Sequence, residues 1–80
     1  MVYLCAGLID QLYVSKNSVR FFVKNKFYQI VKEGEEYFLI TLNNQKFKLK
    51  NFTIGNSMAV LITEEYIPDF DMCENIDELK

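Results

Sequence analysis

The run Lys46-Phe47-Lys48-Leu49-Lys50 places a basic residue at every second position, the spacing that puts three ammonium groups on one side of a β-strand. Such a stripe can track a phosphate backbone, with Tyr37 as a platform for a stacked base and Leu39 beside it. The plainer reading is the solvated side of an edge strand, where lysine also blocks pairing with another sheet. Three lysines with a single aromatic, in a chain of net charge −2, favour the plainer reading and make nucleic acid the second choice of partner.

A second candidate is the acidic segment from Glu64 to Glu78, which interleaves seven acids with Tyr66, Ile67, Phe70, Met72 and Ile76. As a docking surface, Glu64, Glu65, Tyr66, Asp69, Phe70 and Asp71 would combine apolar anchors with charges that steer a basic partner protein. As packing, Phe70, Ile76 and Leu79 would instead close a core with the acids in water. Self-association is a third option, because residues 1–63 carry +4 and residues 64–80 carry −6. An acidic tail of one copy could then lie on the basic body of another.

Enzymatic chemistry finds little footing. The chain has no His, which removes the commonest general base and metal ligand, and Cys5 and Cys73 form no C-x-x-C site. The paired acids Glu35-Glu36 and Glu64-Glu65 fall at a turn and a strand end, where solvated carboxylates ordinarily sit. Three glycines, far apart, make no phosphate loop. Neither catalysis nor a metal or cofactor is expected.

The elements that would hold these residues are short and β-prone. Val2–Cys5, Leu12–Val14 and Val19–Val23 are extended runs, the last two separated by the polar turn Ser15–Ser18. Asn25 is the residue near Lys24 and Lys26 best able to take a positive φ. A three-residue loop at 33–35 would set Ile30 opposite Phe38 and Tyr28 opposite Ile40. A two-residue turn at Asn43-Asn44 would set Ile40 opposite Phe47, Phe38 opposite Leu49 and Leu39 opposite Lys48. The buried face is then Phe38, Ile40, Phe47 and Leu49, with Tyr37, Leu39 and Thr41 outside beside the lysines.

Thr53–Ser57 reads as a loop, and Met58–Thr63, apolar throughout, as a central or closing strand. Asp71-Met-Cys-Glu74 has the form of a capping box, and Met72, Ile76 and Leu79 fall at helical spacing, which predicts a short helix over about 72–79. Eighty residues make one small domain, and half of them are apolar, enough for a packed core. The expectation is a mainly β fold, a small antiparallel barrel or curled sheet of five or six strands over residues 1–66, followed by an acidic C-terminal extension over 67–80.

No apolar run approaches the ~20 residues that span a bilayer, and the N-terminus lacks a basic stretch before its apolar part, so the expectation is a cytoplasmic protein without a membrane partner. In that setting Cys5 and Cys73 are expected as buried thiols, whereas a secreted domain would use them to staple its termini. Phe, Tyr, Met, Ile, Asn and Lys fill 37 positions and Gly, Ala, Arg and Pro only 7, which points to an AT-rich gene, as in many bacteriophages and low-GC bacteria.

The middle of the chain, Phe22-Val-Lys-Asn25-Lys26-Phe-Tyr28-Gln-Ile30, then Gly34-Glu-Glu-Tyr37-Phe38-Leu-Ile40, then Asn43-Asn44 and Phe52, resembles small phage and prophage proteins with an SH3-like barrel. Lys26, Tyr28 and Ile30 match the Gly-Lys-x-Tyr-x-Val strand of that pattern, and Asn25 replaces its glycine. The resemblance covers residues 20–52, and the acidic segment has no counterpart in it. It implies a phage-encoded, non-enzymatic inhibitor that binds and blocks a host protein, in anti-defence or host takeover. The alternative is a small nucleic-acid-binding regulator using the lysine face.

Overall fold

A computed structural model describes residues 1–76. It shows a mainly β chain of eight strands: β1 Tyr3–Leu8, β2 Gln11–Val14, β3 Ser18–Val23, β4 Lys26–Glu33, β5 Glu36–Thr41, β6 Lys46–Ile54, β7 Met58–Thr63 and β8 Met72–Asn75. They form one antiparallel sheet in the order β2-β3-β4-β5-β6-β7-β1-β8. The sheet has eight strands rather than the expected five or six: the short run at Leu12–Val14 forms a full edge strand, β2, and β8 forms the other edge where a helix was expected.

This order forces the sheet to curl. At ~4.8 Å per strand, β1 and β2 would stand ~29 Å apart in a flat sheet, yet only Ile9 and Asp10 join them, a reach of roughly 10 Å. Ile9 N–H donates to the Ser57 carbonyl beside β7, and Asp10 N–H donates to the Phe22 carbonyl of β3, each at 2.9 Å. One bent length of chain thus belongs to both ends of the sheet. No ladder joins β2 to β1 or β8 among the described residues, so the curled sheet is not a closed barrel.

The concave side holds the core, built from alternate residues of each strand: Cys5, Phe21, Val23, Tyr28, Ile30, Leu39, Phe47, Leu49, Ala59 and Leu61. Ile67 and Phe70 complete it, with Phe70 edge-to-face on Tyr28 at 5.0 Å and Tyr28 stacked with Phe21 at 5.7 Å. Burial, followed by the charge of Asp69, raises the Tyr28 pKa above its ordinary value. Gly7 lies where the two ends of the sheet meet. A Cβ there would stand 2.8 Å from Val23 Cγ1 and 3.3 Å from Phe70 Cε2. Gly7→Ala is therefore expected to cost about 1–3 kcal/mol through overpacking, measured by urea unfolding. A wild-type midpoint would show that β1 and β3 do not press together there.

Turn chemistry sets the register. Lys24 and Asn25, with φ of 51° and 66°, are the two positive-φ residues of a type I′ turn joining β3 to β4, as the tolerance of Asn25 leads one to expect. Glu33 pairs with Glu36, so the next turn has two residues, Gly34 (φ 66°) and Glu35, rather than three. Thr41 bonds Gln45 around a three-residue loop, Leu42-Asn43-Asn44, in which Asn44 takes φ 64°, rather than around a two-residue turn. Both differences shift β5 by one residue, and a one-residue shift exchanges the faces. Leu39 faces Phe47 and is fully buried, whereas Phe38 and Ile40 lie outside opposite Lys48 and Lys46.

In place of the expected helix over 72–79, residues 72–75 form β8, paired with β1; residues 77–80 lie outside the description. A two-turn helix is marginal in water, while β1 offers a sheet edge with which the inward-directed backbone groups of a short strand can pair. The Ile76 N–H bond to the Val2 carbonyl extends the pairing. Cys73 stands directly opposite Cys5, and the two form a disulfide instead of the expected free thiols. The register brings them together across 68 positions of sequence, which spacing alone does not reveal.

Candidate functional site

Lys46 and Lys48 project from the outer face, as strand alternation dictates, but each already has a carboxylate. Lys46 Nζ lies 2.7 Å from Glu33 Oε1 and 4.4 Å from the Phe38 ring centre, and Lys48 Nζ lies 2.6 Å from Glu36 Oε2. The hydrogen bond that Lys48 donates to Glu36, the charge of Glu36 and that of Glu64 raise the Lys48 pKa. Lys50 sits at a β-bulge between Leu49 and Asn51 and so leaves the row. Leu39 is core, and Tyr37 lies on the concave side, edge-to-face with Phe52 at 5.0 Å. The five residues of the expected basic face therefore divide between two sides of the sheet.

The acidic segment also divides. Phe70 is buried, 7% exposed, while Tyr66 is 54% exposed and rests edge-to-face on Tyr3 at 5.8 Å. Asp71 Oδ1 receives Lys24 Nζ at 2.8 Å, a hydrogen bond that holds its carboxyl below the usual range, and the Asp69 carbonyl receives Lys26 Nζ at 3.2 Å. Part of the acidic tail thus lies on its own basic body, at the β3–β4 turn. Glu64 and Glu65 remain exposed where β7 ends.

A contiguous apolar surface lies elsewhere. In β1 and β7 the residues alternating with buried Cys5, Gly7, Ala59, Leu61 and Thr63 are themselves apolar, so both faces of these strands are apolar. Register aligns Leu8 with Met58, Val60 with Ala6 and Met72, and Ile62 with Leu4 and Glu74. Seven apolar side chains from three adjacent strands thus share the outer face, bordered by the carboxylate of Glu74. Leu8 is 60% exposed, and Met58 and Met72 are exposed too. Strands apolar on both faces ordinarily have both faces covered; the continuous run Met58–Thr63 carries that signal, and so does Tyr3–Leu8.

Among the described residues no group of His, Cys, Asp and Glu is placed to hold a metal ion, and no helix is long and apolar enough to cross a membrane. Comparison with protein-family models, curated protein sequences and solved structures finds no match to the chain.

Proposed function

We propose that this protein is a non-enzymatic binding protein that docks stoichiometrically on a partner protein through the outer face of β1, β7 and β8. One observation carries the reading: the apolar face formed by Leu4, Ala6, Leu8, Met58, Val60, Ile62 and Met72, against which no further strand pairs or packs extensively among the described residues. A contiguous apolar patch rimmed by polar groups is what an interface core requires. Glu64, Glu65 and Glu74 stand at the β7 end and β8 edge, so the partner suited to the face presents an apolar patch edged by lysine or arginine. The likeness of residues 20–52 to phage SH3-like proteins supports a phage-encoded inhibitor acting on such a host protein.

The test substitutes Leu8→Lys with Met58→Lys, which places two cations on the face and leaves the core intact. The wild type is expected to capture one host protein in equimolar complex and the variant to lose at least roughly tenfold in affinity, about 1.4 kcal/mol, at unchanged thermal stability. Retained capture by the variant would sink the reading. A wild type that sediments as a dimer and dissociates on the same substitution would assign the face to a second copy instead.

A further inference from the structure

At the opposite side of the sheet from this face, an open cleft of about 520 Å³ lies between the β2–β3 turn, the β4–β5 turn and the start of β5. That volume is within the ~300–1,000 Å³ of small-molecule sites. Its floor is the cross-strand pair Val19 and Ile30, and Tyr37 with Phe52 makes an aromatic wall. Phe52 reaches that wall only because the bulge at Lys50 shifts the alternation of β6, returning Phe52 and Ile54 to the side of Phe47 and Leu49.

The charge of the cleft has one sign. Lys32 follows Tyr28 and Ile30 on the concave side of β4, and its Nζ lies 5.7 Å from the centre of the Tyr37 ring. Lys16 joins it from the β2–β3 turn, and none of the residues lining the cleft is acidic. Of the carboxylates that follow Lys32 in sequence, Glu33 and Glu36 are engaged by Lys46 and Lys48 on the other face, and Glu35 is exposed in the β4–β5 turn outside the residues that line the cleft. Among the described residues neither Lys16 nor Lys32 has an ion-pair partner. Two unneutralised ammonium groups beside an aromatic wall and an aliphatic floor form a site that accepts a flat ring and an anion together.

We propose that the cleft binds a nucleoside monophosphate, the base against Tyr37 and Phe52 and the phosphate between Lys16 and Lys32. This is independent of the docking face, which uses other strands and the other side of the sheet. Isotope-labelled protein is titrated with adenosine 5′-monophosphate while backbone amide shifts are followed by NMR, with adenosine and inorganic phosphate as separate titrations. The expected result is saturable shifts centred on Lys16, Lys32, Tyr37 and Phe52, with each fragment roughly tenfold or more weaker than the nucleotide. Lys16→Glu with Lys32→Glu is expected to abolish saturation while the spectrum keeps its dispersion, since both side chains are exposed. Lys16→Gln with Lys32→Gln replaces that variant should it not fold. Absence of saturable shifts, equal binding of phosphate alone, or binding unaffected by the lysine variants would each overturn the proposal.

Discussion

Removing the Cys5–Cys73 disulfide, by reduction or by Cys5→Ala with Cys73→Ala, is expected to lower the free energy of unfolding by roughly 4 kcal/mol. The bridge closes a loop across 68 positions, nearly the whole chain, so the unfolded state it constrains is the most open one available. A domain of this size holds on the order of 4–12 kcal/mol in total, which makes the bridge a third or more of the stability. The four residues of β8 pair with β1 on one side and form the outermost edge of the sheet on the other, flanked by the Lys24–Asp71 ion pair and the Ile76–Val2 hydrogen bond. Alanine is the right replacement because Cys5 is fully buried and a serine hydroxyl would add a polar group in need of a partner. Urea unfolding with and without reductant measures the effect. A midpoint that neither reductant nor the double substitution moves would show that β8 is held by its ladder alone. Hydrogen exchange adds a local readout: the amides of Met72–Asn75 are expected to lose protection before those of β4 and β7.

The same bridge shows where sequence reasoning stops. Cys5 and Cys73 are partners only because residues 72–75 lie along β1, and Asp71-x-x-Glu74 imitates a capping box closely enough to hide a strand. Helix signals there were local, whereas the winning interaction was an open sheet edge contributed from the far end of the chain. Where a single local rule suffices, sequence and structure agree: Asn25 takes its positive φ, Met58–Thr63 is an interior strand, and Tyr28, Ile30, Phe47 and Leu49 are core. Phe52 and Ile54 escaped because their spacing from Phe47 and Leu49 breaks period two, which is itself the signature of a bulge. The cleft was illegible for a further reason, since Lys16, Lys32, Tyr37 and Phe52 come from four separate segments. In the candidate basic face, Lys46 and Lys48 emerged outward as alternation requires, while their neighbours did not.

Those neighbours supply the second large effect. Leu39→Ala is expected to cost about 2–4 kcal/mol, as deletion of a fully buried leucine does, whereas Phe38→Ala, on the outer face, should cost under about 1 kcal/mol. A two-residue turn at Asn43-Asn44 and a three-residue loop at 33–35 would reverse the order, because Phe38 would then fill the core and Leu39 would stand in water. The composition of β5 does not decide between them: Tyr37, Leu39 and Thr41 on one side and Phe38, Ile40 and Leu42 on the other are both apolar enough to be buried. What decides is backbone conformation at two positions, Gly34 and Asn44, each with positive φ. Gly34 begins a two-residue turn, and Asn44 ends a three-residue loop. The two turns agree, each moving β5 by the same single residue, so the pair of alanine substitutions tests both at once. Should Phe38→Ala prove the costlier, Leu39 would return to the lysine face. Tyr37 would turn outward with it, leaving the aromatic wall beside Lys32 without its tyrosine.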